Sequence, residues 1–349
     1  MMTAFRATAT AWIMLAIGIS CASAAQKAHA VNPVPDAVIL FLGTAGGPPL
    51  HVDRSEPSTL LMVDGREYLI DCGIGTMRRM IEAGIRSEQV KTIFFTHLHA
   101  DHDLGLADVM ANDFLYAPAD DTTASINMYG PPQTKELVDA AFRFITMGFR
   151  PFAIESPGAH GSLASPFAAH EFNRNGLVFQ DNRIQVTAVE NSHYALMTTR
   201  QRREMKSYSY RISTRHGVIV FTGDTGPSDD VARLAKGADV LVAEASYRDP
   251  EDLDRFVDSM AARFGWPPKR AERFRAHFEF EHLDAEKVGR LASKAGVKAV
   301  LLYHYGPADK ADQTRYVSEV KENFGGLVFA PEDLDRYCMR MGSIRSCRQ

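Results

Sequence analysis

Thr96-His97-Leu98-His99-Ala100-Asp101-His102 follows directly on the apolar run Thr92-Ile93-Phe94-Phe95. Four side chains able to bind a metal ion, His97, His99, Asp101 and His102, crowd into that stretch. Imidazole and carboxylate together suit zinc, manganese or iron. The run before them is short, apolar and bounded, as a buried strand is. If the chain stays extended beyond it, His97 and His99 point to the same side. Asp101 and His102 then follow as the chain turns into a helix expected to begin near Asp103. Two ligand pairs aimed at neighbouring points suit two metal ions about 3.5–4 Å apart. The alternative is a polar loop with its histidines in water. The ligand density and the strand–loop–helix setting weigh against it.

A metal centre needs further ligands, and the pattern places candidates at later strand exits. Strands are read over 183–190, 217–221 and 298–303, and each is followed by such a residue: His193, Asp224 and His304. A lone histidine behind a strand is more often structural than a ligand. Three candidates at the same kind of position change that balance.

The remaining elements alternate. Ala37 to Leu42 is a buried strand ended by Gly43. Segments 58–63 and 67–70 form a hairpin about Asp64-Gly65. A helix over 73–83 stops at Gly84. Strands follow over 125–129, 207–213 and 240–243, with helices over 134–144, 229–235 and 284–295. Strands early and late, each set interleaved with helices, imply an α/β protein of two sheets covered by helices on their outer faces. Residues 248–281 are charged, helical in pattern and rich in aromatics, and read as a helical insertion over the core.

With 45% hydrophobic and 23% charged residues, the 349-residue chain has the composition of a soluble globular protein. Its net charge of −4 offers no strong electrostatic pull toward nucleic acid or an anionic membrane. At the N-terminus Arg6 precedes an apolar run over 11–19, and small residues follow in Ala22-Ser23-Ala24 and Ala28-His29-Ala30. This is the pattern of a secretory signal peptide. The run is too short for a comfortable membrane span, although an uncleaved anchor is the alternative. Cys21 stands where a lipoprotein cysteine would, but Gly18-Ile19-Ser20 matches that signal poorly. Residues 1–30 are therefore set apart from a single domain over 31–349. Cleavage is expected after Ala24 or Ala30, giving a periplasmic or secreted chain free of the membrane. Cleavage after Ala30 would also remove Arg6 and Lys27, making the remainder more acidic. Cys338 and Cys347 pair in an oxidising compartment or stay free thiols. Cys72 reads as a buried thiol.

The chain resembles the metallo-β-lactamase superfamily, and within it the branch of tRNase Z and tRNase Z-like arylsulfatases. The resemblance is carried by Leu42-Gly43-Thr44-Ala45-Gly46-Gly47-Pro48, Asp71-Cys72-Gly73-Ile74-Gly75-Thr76, the histidine motif and Tyr129-Gly130-Pro131. It continues through Ser207 to Ile212, Phe221-Thr222-Gly223-Asp224-Thr225, Ala243-Glu244-Ala245-Ser246, His282 and Leu301-Leu302-Tyr303-His304. It implies a four-layer αββα sandwich and two Zn2+ ions, with Mn2+ or Fe2+ as substitutes. By this resemblance His97, His99 and His193 hold one metal, and Asp101, His102 and His304 the other. Asp224 bridges both, and Asp71 steadies a ligand histidine from behind. Asp71 is otherwise a turn aspartate before Gly73. Asp101 falls among the catalytic residues, although a metal-bound carboxylate is mainly a ligand. Glu244 and His282 match a pair that moves a proton near the leaving group. His282 is otherwise the residue that opens the next helix. A carboxylate beside His282 is expected to raise its pKa toward neutrality. The chemistry implied is attack by metal-activated hydroxide on carbon, phosphorus or sulfur.

For the substrate, tRNA processing is set aside on three grounds. The signal peptide directs the chain elsewhere. The charge is a poor match to a polyanion. The interval from His193 to Asp224 leaves no room for the tRNA-gripping arm that the resemblance would place there. The expectation is a secreted dinuclear zinc hydrolase of a small ester: an aryl sulfate, phosphodiester or aryl ester. Its partner would be a small molecule and not a nucleic acid, with a homodimer left open. A lactonase or β-lactamase-type amide hydrolase is the runner-up. The β-lactamase is disfavoured because zinc enzymes of that kind usually carry cysteine where Asp224 stands. A catalytically idle binding protein is the third reading, against which the complete ligand set argues. Arg200 to Lys206 either draws an anion to the pocket mouth or is a solvated hairpin tip, and the second is preferred. Phe264, Trp266 and Phe278 either cap the pocket or form the insertion's own core.

Overall fold

The structure, a computed structural model, describes residues 37–47, 49–116, 126–155, 165–306 and 313–347, the side chain of Ala153 excepted. The expected signal peptide, residues 1–30, lies outside the described residues, as does Pro48 of the glycine motif.

The chain first lays down β1 (Ala37–Gly43), β2 (Ser58–Val63), β3 (Arg66–Ile70), β4 (Val90–Phe94), β5 (Ile126–Gly130) and β6 (Phe167–Glu171). It continues with β7 (Gly176–Gln180), β8 (Ile184–Glu190), β9 (Tyr208–Thr214), β10 (Gly217–Phe221), β11 (Val240–Glu244), β12 (Ala299–Tyr303) and β13 (Leu327–Phe329). Two last strands, β14 (Arg336–Arg340) and β15 (Ser343–Ser346), return to the first set. One sheet has the order β15-β14-β1-β2-β3-β4-β5-β6, the other β13-β12-β11-β10-β9-β8-β7. Each sheet has a parallel part, β3 to β6 in one and β10 to β13 in the other, where helices connect the strands, and is antiparallel elsewhere. At the β2–β3 hairpin Asp64 and Gly65 both take positive φ, 50° and 74°. That is the turn whose twist matches the flanking strands.

Between the strands run α1 (Thr76–Glu82), α2 (Ala100–Asp103), α3 (Leu106–Tyr116), α4 (Thr134–Glu155) and α5 (Gln201–Glu204). The later helices are α6 (Asp229–Leu234), α7 (Pro250–Phe264), α8 (Pro268–Glu281), α9 (Ala285–Ala295) and α10 (Gln313–Asn323). No described helix is long and apolar enough to cross a membrane.

Strand alternation assigns the layers. Ile39 and Phe41 of β1 point inward with Leu61, Phe94, Tyr210, Phe221, Val242 and Leu301, and fill the space between the sheets. Leu40 and Leu42 point outward, under Met77 and Met80 of α1, Val109 of α3 and Val138 of α4. On the other side Leu241, Val300 and Leu302 pack under Val231 of α6, Val288 of α9 and Val320 of α10. Helices cover both outer faces, and the architecture is the four-layer αββα sandwich. Strands β11 and β12 are buried along their whole length, which is why they read as unbroken apolar runs.

Several boundaries differ from the sequence reading. Helix α1 starts at Thr76, because residues 73–75 make a loop in which Gly75 has φ 98°. Helix α4 runs on to Glu155 through Pro151. Cys338 and Cys347 are disulfide-bonded with Cα atoms 5.7 Å apart, tying the β14–β15 hairpin, while Cys72 is a buried free thiol.

Candidate metal centre

The candidate ligands sit just past the ends of strands or in the one-turn helix that follows β4. Beyond β4 the chain bends at Thr96, and His99 is itself extended, with φ −79° and ψ 149°. Asp101 and His102 lie inside the one-turn helix α2, earlier than the helix start expected at Asp103. His193 follows β8, Asp224 follows β10 and His304 follows β12, where it takes a left-handed φ of 55°. Glu244 ends β11, and His282 is the residue on which α8 ends.

The fold draws these side chains into three overlapping groups. His97, His99 and His193 form one; Asp101, His102, Asp224 and His304 a second; Asp224, Glu244, His282 and His304 a third. Within each, the ligand atoms lie within 4.8 Å of one another. Asp224 Oδ2 is the common centre. It lies 3.1 Å from His304 Nε2, 3.4 Å from His102 Nε2, 3.8 Å from His97 Nε2 and 4.0 Å from His193 Nε2. Asp101 Oδ2 is 3.5 Å from His102 Nε2 and 3.4 Å from His304 Nε2.

These residues fit metal ions on a specific observation. His97 Nε2, His102 Nε2, His304 Nε2 and Asp224 Oδ1 are buried without a hydrogen-bond partner. An unsatisfied buried polar atom costs about 1–3 kcal/mol, so several aimed at one place call for a ligand.

The opposite nitrogen of each ring is held. Asp71 Oδ2 lies 2.9 Å from His102 Nδ1 and also accepts from Thr96 Oγ1 at 2.9 Å. Thr96 Oγ1 in turn stands 3.1 Å from His97 Nδ1, so one carboxylate steadies two rings. His193 Nδ1 donates to the carbonyl of Glu281 at 3.0 Å, and Ser246 Oγ lies 3.0 Å from His304 Nδ1. With Nδ1 as donor in each case, the free Nε2 lone pair is the one offered to a cation. His99 differs in presenting Nδ1, 3.0 Å from His193 Nε2. Gly46 and Gly47 let the first loop close over this arrangement. A Cβ on Gly46 would lie 2.6 Å from His304 Nδ1, and one on Gly47 2.3 Å from Asp101 Cβ. The Gly47 N–H donates to Asp101 Oδ2 at 2.9 Å.

The electrostatics divide the rings. Burial and neighbouring imidazoles hold His97 and His193 well below the ordinary histidine range, leaving them neutral. Burial acts the same way on His102 and His304 but is overcome by carboxylates. Asp224, Asp101 and Asp71 hold His102 well above its usual value, and Asp224 and Asp101 push His304 up to about 10. Burial raises Asp224, yet His304 and His102 hold it well below the carboxylate range. The carboxylates thus demand positive charge, which protons or divalent cations supply in competition.

The Glu244–His282 pair departs from expectation. Burial holds His282 well below its ordinary value, outweighing the pull of Asp224. Burial, and next Asp224, push the Glu244 carboxyl well above its own. Burial outweighs the hydrogen bonds that Ser246 and the Thr225 N–H give Glu244, so charge separation loses to desolvation. The two groups still meet, with His282 Nδ1 2.7 Å from Glu244 Oε2, and Ser246 Oγ donates to the same oxygen at 2.6 Å.

Sequence reasoning gave no role to Thr96, Ser246, Glu281 or His277. The first two stand inside quoted motifs and were within reach. His277 has no such signal. Its Nε2 is 3.2 Å from His282 Nε2, and its Nδ1 is 2.7 Å from Glu281 Oε2. Arg200, Arg202 and Arg203 are exposed on and beside α5 and do not line the cavity at the site, as a solvated tip requires. That cavity, of 420 Å³, is bounded by His99, Asp101 and Asp224 on one side and Phe274, His277 and Phe278 on the other. Phe278 therefore both lines the cavity and packs within the α7–α8 pair; Phe264 and Trp266 do not line it.

Comparison with known proteins gives the following. The family described as "Beta-lactamase superfamily domain" matches residues 66–305. The chain is 28% identical over 305 residues to a protein of Mycobacterium marinum named "Ribonuclease Z", spanning 85% of this chain and 97% of that one. Among solved structures, the metallo-beta-lactamase fold protein YhfI from Bacillus subtilis superposes with TM-score 0.62 at 16% identity, covering 86% of this chain and 98% of its own. Human tRNase Z, short form, superposes with TM-score 0.58 at 20% identity, covering 86% and 98%. Two expectations are corrected by these findings. The exclusion of a nucleic-acid partner and the choice of a small-ester substrate both conflict with relatives named for cutting RNA. The charge argument failed because net charge averages over the whole surface, while a phosphodiester is met at one site. The short interval before Asp224, filled by α5, β9 and β10, spoke to one gripping device and not to the bond that is cut.

Proposed function

The chain belongs to the beta-lactamase superfamily and is a metal-dependent hydrolase, and on that premise we propose that it is a two-metal phosphodiesterase acting on RNA. The observation that carries the proposal is the set of buried, unpartnered ligand atoms gathered around Asp224. The ribonuclease Z relatives support the substrate class.

His97, His99 and His193 would hold one cation, and Asp101, His102 and His304 the other, with Asp224 between them. Nitrogen and carboxylate donors of this kind suit zinc, and manganese or iron as substitutes. Cations held there would supply an acidified water and offset negative charge on the phosphoryl oxygens. Asp71, Thr96, Ser246 and the Glu281 carbonyl fix the imidazole tautomers beforehand, so that no reorganisation accompanies the reaction. Gly47 orients Asp101 through its N–H. Glu244 and His282 would share a proton across their 2.7 Å contact, and His282 Nε2, 3.2 Å from His277 Nε2 on the cavity wall, carries a proton that it releases as Nδ1 takes up the shared one. The Nε2 proton goes to the departing ribose oxygen.

The test is zinc-loaded protein incubated with a panel of RNAs, tRNA transcripts included. Cleavage that disappears in EDTA and returns with zinc is the expected result. Protein that binds two metals per chain yet cuts none of the RNAs would refute the substrate.

A further inference from the structure

Helices α7 and α8 lie against one another through Leu253, Val257 and Phe278, with Phe256 and Phe274 alongside. Phe274, His277 and Phe278 lie at successive positions on one face of α8, which forms the cavity wall facing the ligand cluster. The wall is rigid. Phe278 stacks on His282 with ring centroids 5.0 Å apart and planes at 21°. Phe274 meets Phe278 edge-on at 5.1 Å and Trp266 at 5.0 Å. Both ring nitrogens of His277 are engaged, with Glu281 and His282, so it offers the cavity ring surface and no uncommitted polar atom.

The two sides of the cavity ask for different chemistry. One can hold an anionic oxygen through metal ions. The other, a few ångströms across the same space, is aromatic. A ligand that fills both carries a phosphate next to a flat group with a π-face. In RNA that group is the base, since ribose is neither flat nor apolar. The 420 Å³ volume suits one nucleotide-sized unit and excludes a duplex.

Resting on the phosphodiester reading above, we propose that Phe274 and Phe278 form a base-stacking subsite that holds one unpaired nucleobase beside the scissile phosphate. Stacking of a base on aromatic side chains is tolerant of sequence and needs a single-stranded substrate. The subsite gives this chain a grip on RNA that belongs to the 250–281 helices and needs no separate arm.

The experiment is calorimetric titration of zinc-loaded protein with adenosine 5′-monophosphate and with ribose 5-phosphate, which differ by the base alone. The nucleotide is expected to bind at least about fivefold more tightly, the lower end for one stacked base. Phe274→Ala should reduce that preference to about onefold. Phe274→Leu, which keeps an apolar side chain to support the fold, should do the same, and Phe274→Trp should keep it. Equal affinity of the two ligands for the native protein, or a preference that survives both Phe274→Ala and Phe274→Leu, would overturn the subsite. A chain that prefers the nucleotide but cuts no RNA keeps the subsite and loses the RNA reading. A chain that cuts RNA without the preference loses the subsite alone.

Discussion

Asp224→Ala is expected to lower RNA cleavage by well over about 100-fold, the upper end for residues that merely position a metal ligand. The reason lies in its location. Asp224 Oδ2 is within 4.0 Å of Nε2 on four histidines drawn from both ligand sets, and among the described residues no other carboxylate reaches the first set in this way. Its removal takes away the shared donor and leaves His102 and His304, both held up by carboxylates, facing one another with less compensation. Metal content should drop below two per chain in the same preparation. Asp224→Asn separates charge from shape, because it keeps the side-chain volume but not the anion. Unchanged metal content with near-native activity in either variant would show that Asp224 is not the bridge.

His282→Ala should slow RNA cleavage by about 10²–10⁴-fold, the range for general acid catalysis, with both metals retained. A nitrophenyl phosphodiester should lose less than about tenfold, because its leaving group departs without a proton. The proton comes from Nε2, opposite the nitrogen engaged with Glu244 and Ser246. Burial keeps the ring below its ordinary pKa, so an added net charge on the imidazole is not what the role depends on. Equal slowing of both substrates would make His282 structural, and loss of metal would make it a ligand.

The parts of this site that were legible in sequence share a physical cause. Parallel strands covered on both faces must be continuously apolar, so β4, β10, β11 and β12 announce themselves. A polar residue directly beyond such a run stands out, and His97, Asp224, Glu244 and His304 did. The half-exposed β6 and β7 carry no such run, and were missed. Strand β14 pairs with β1 across nearly the whole chain length, with β15 added beside β14, a register that no local pattern encodes. The ionisation of Glu244 and His282 was misjudged because spacing reveals a neighbour but not its depth. His277 was invisible because it lies on a charged helix whose packing against the site depends on tertiary structure. The substrate was misjudged because a whole-chain charge is silent about one cavity.

The central claim is that two cations share Asp224, and anomalous scattering from crystals of zinc-loaded protein tests it directly. Two zinc peaks are expected about 3.5–4 Å apart, one beside His97, His99 and His193 and one beside Asp101, His102 and His304, with Asp224 reaching both. A single peak at full occupancy in active protein, or peaks away from these residues, would contradict it.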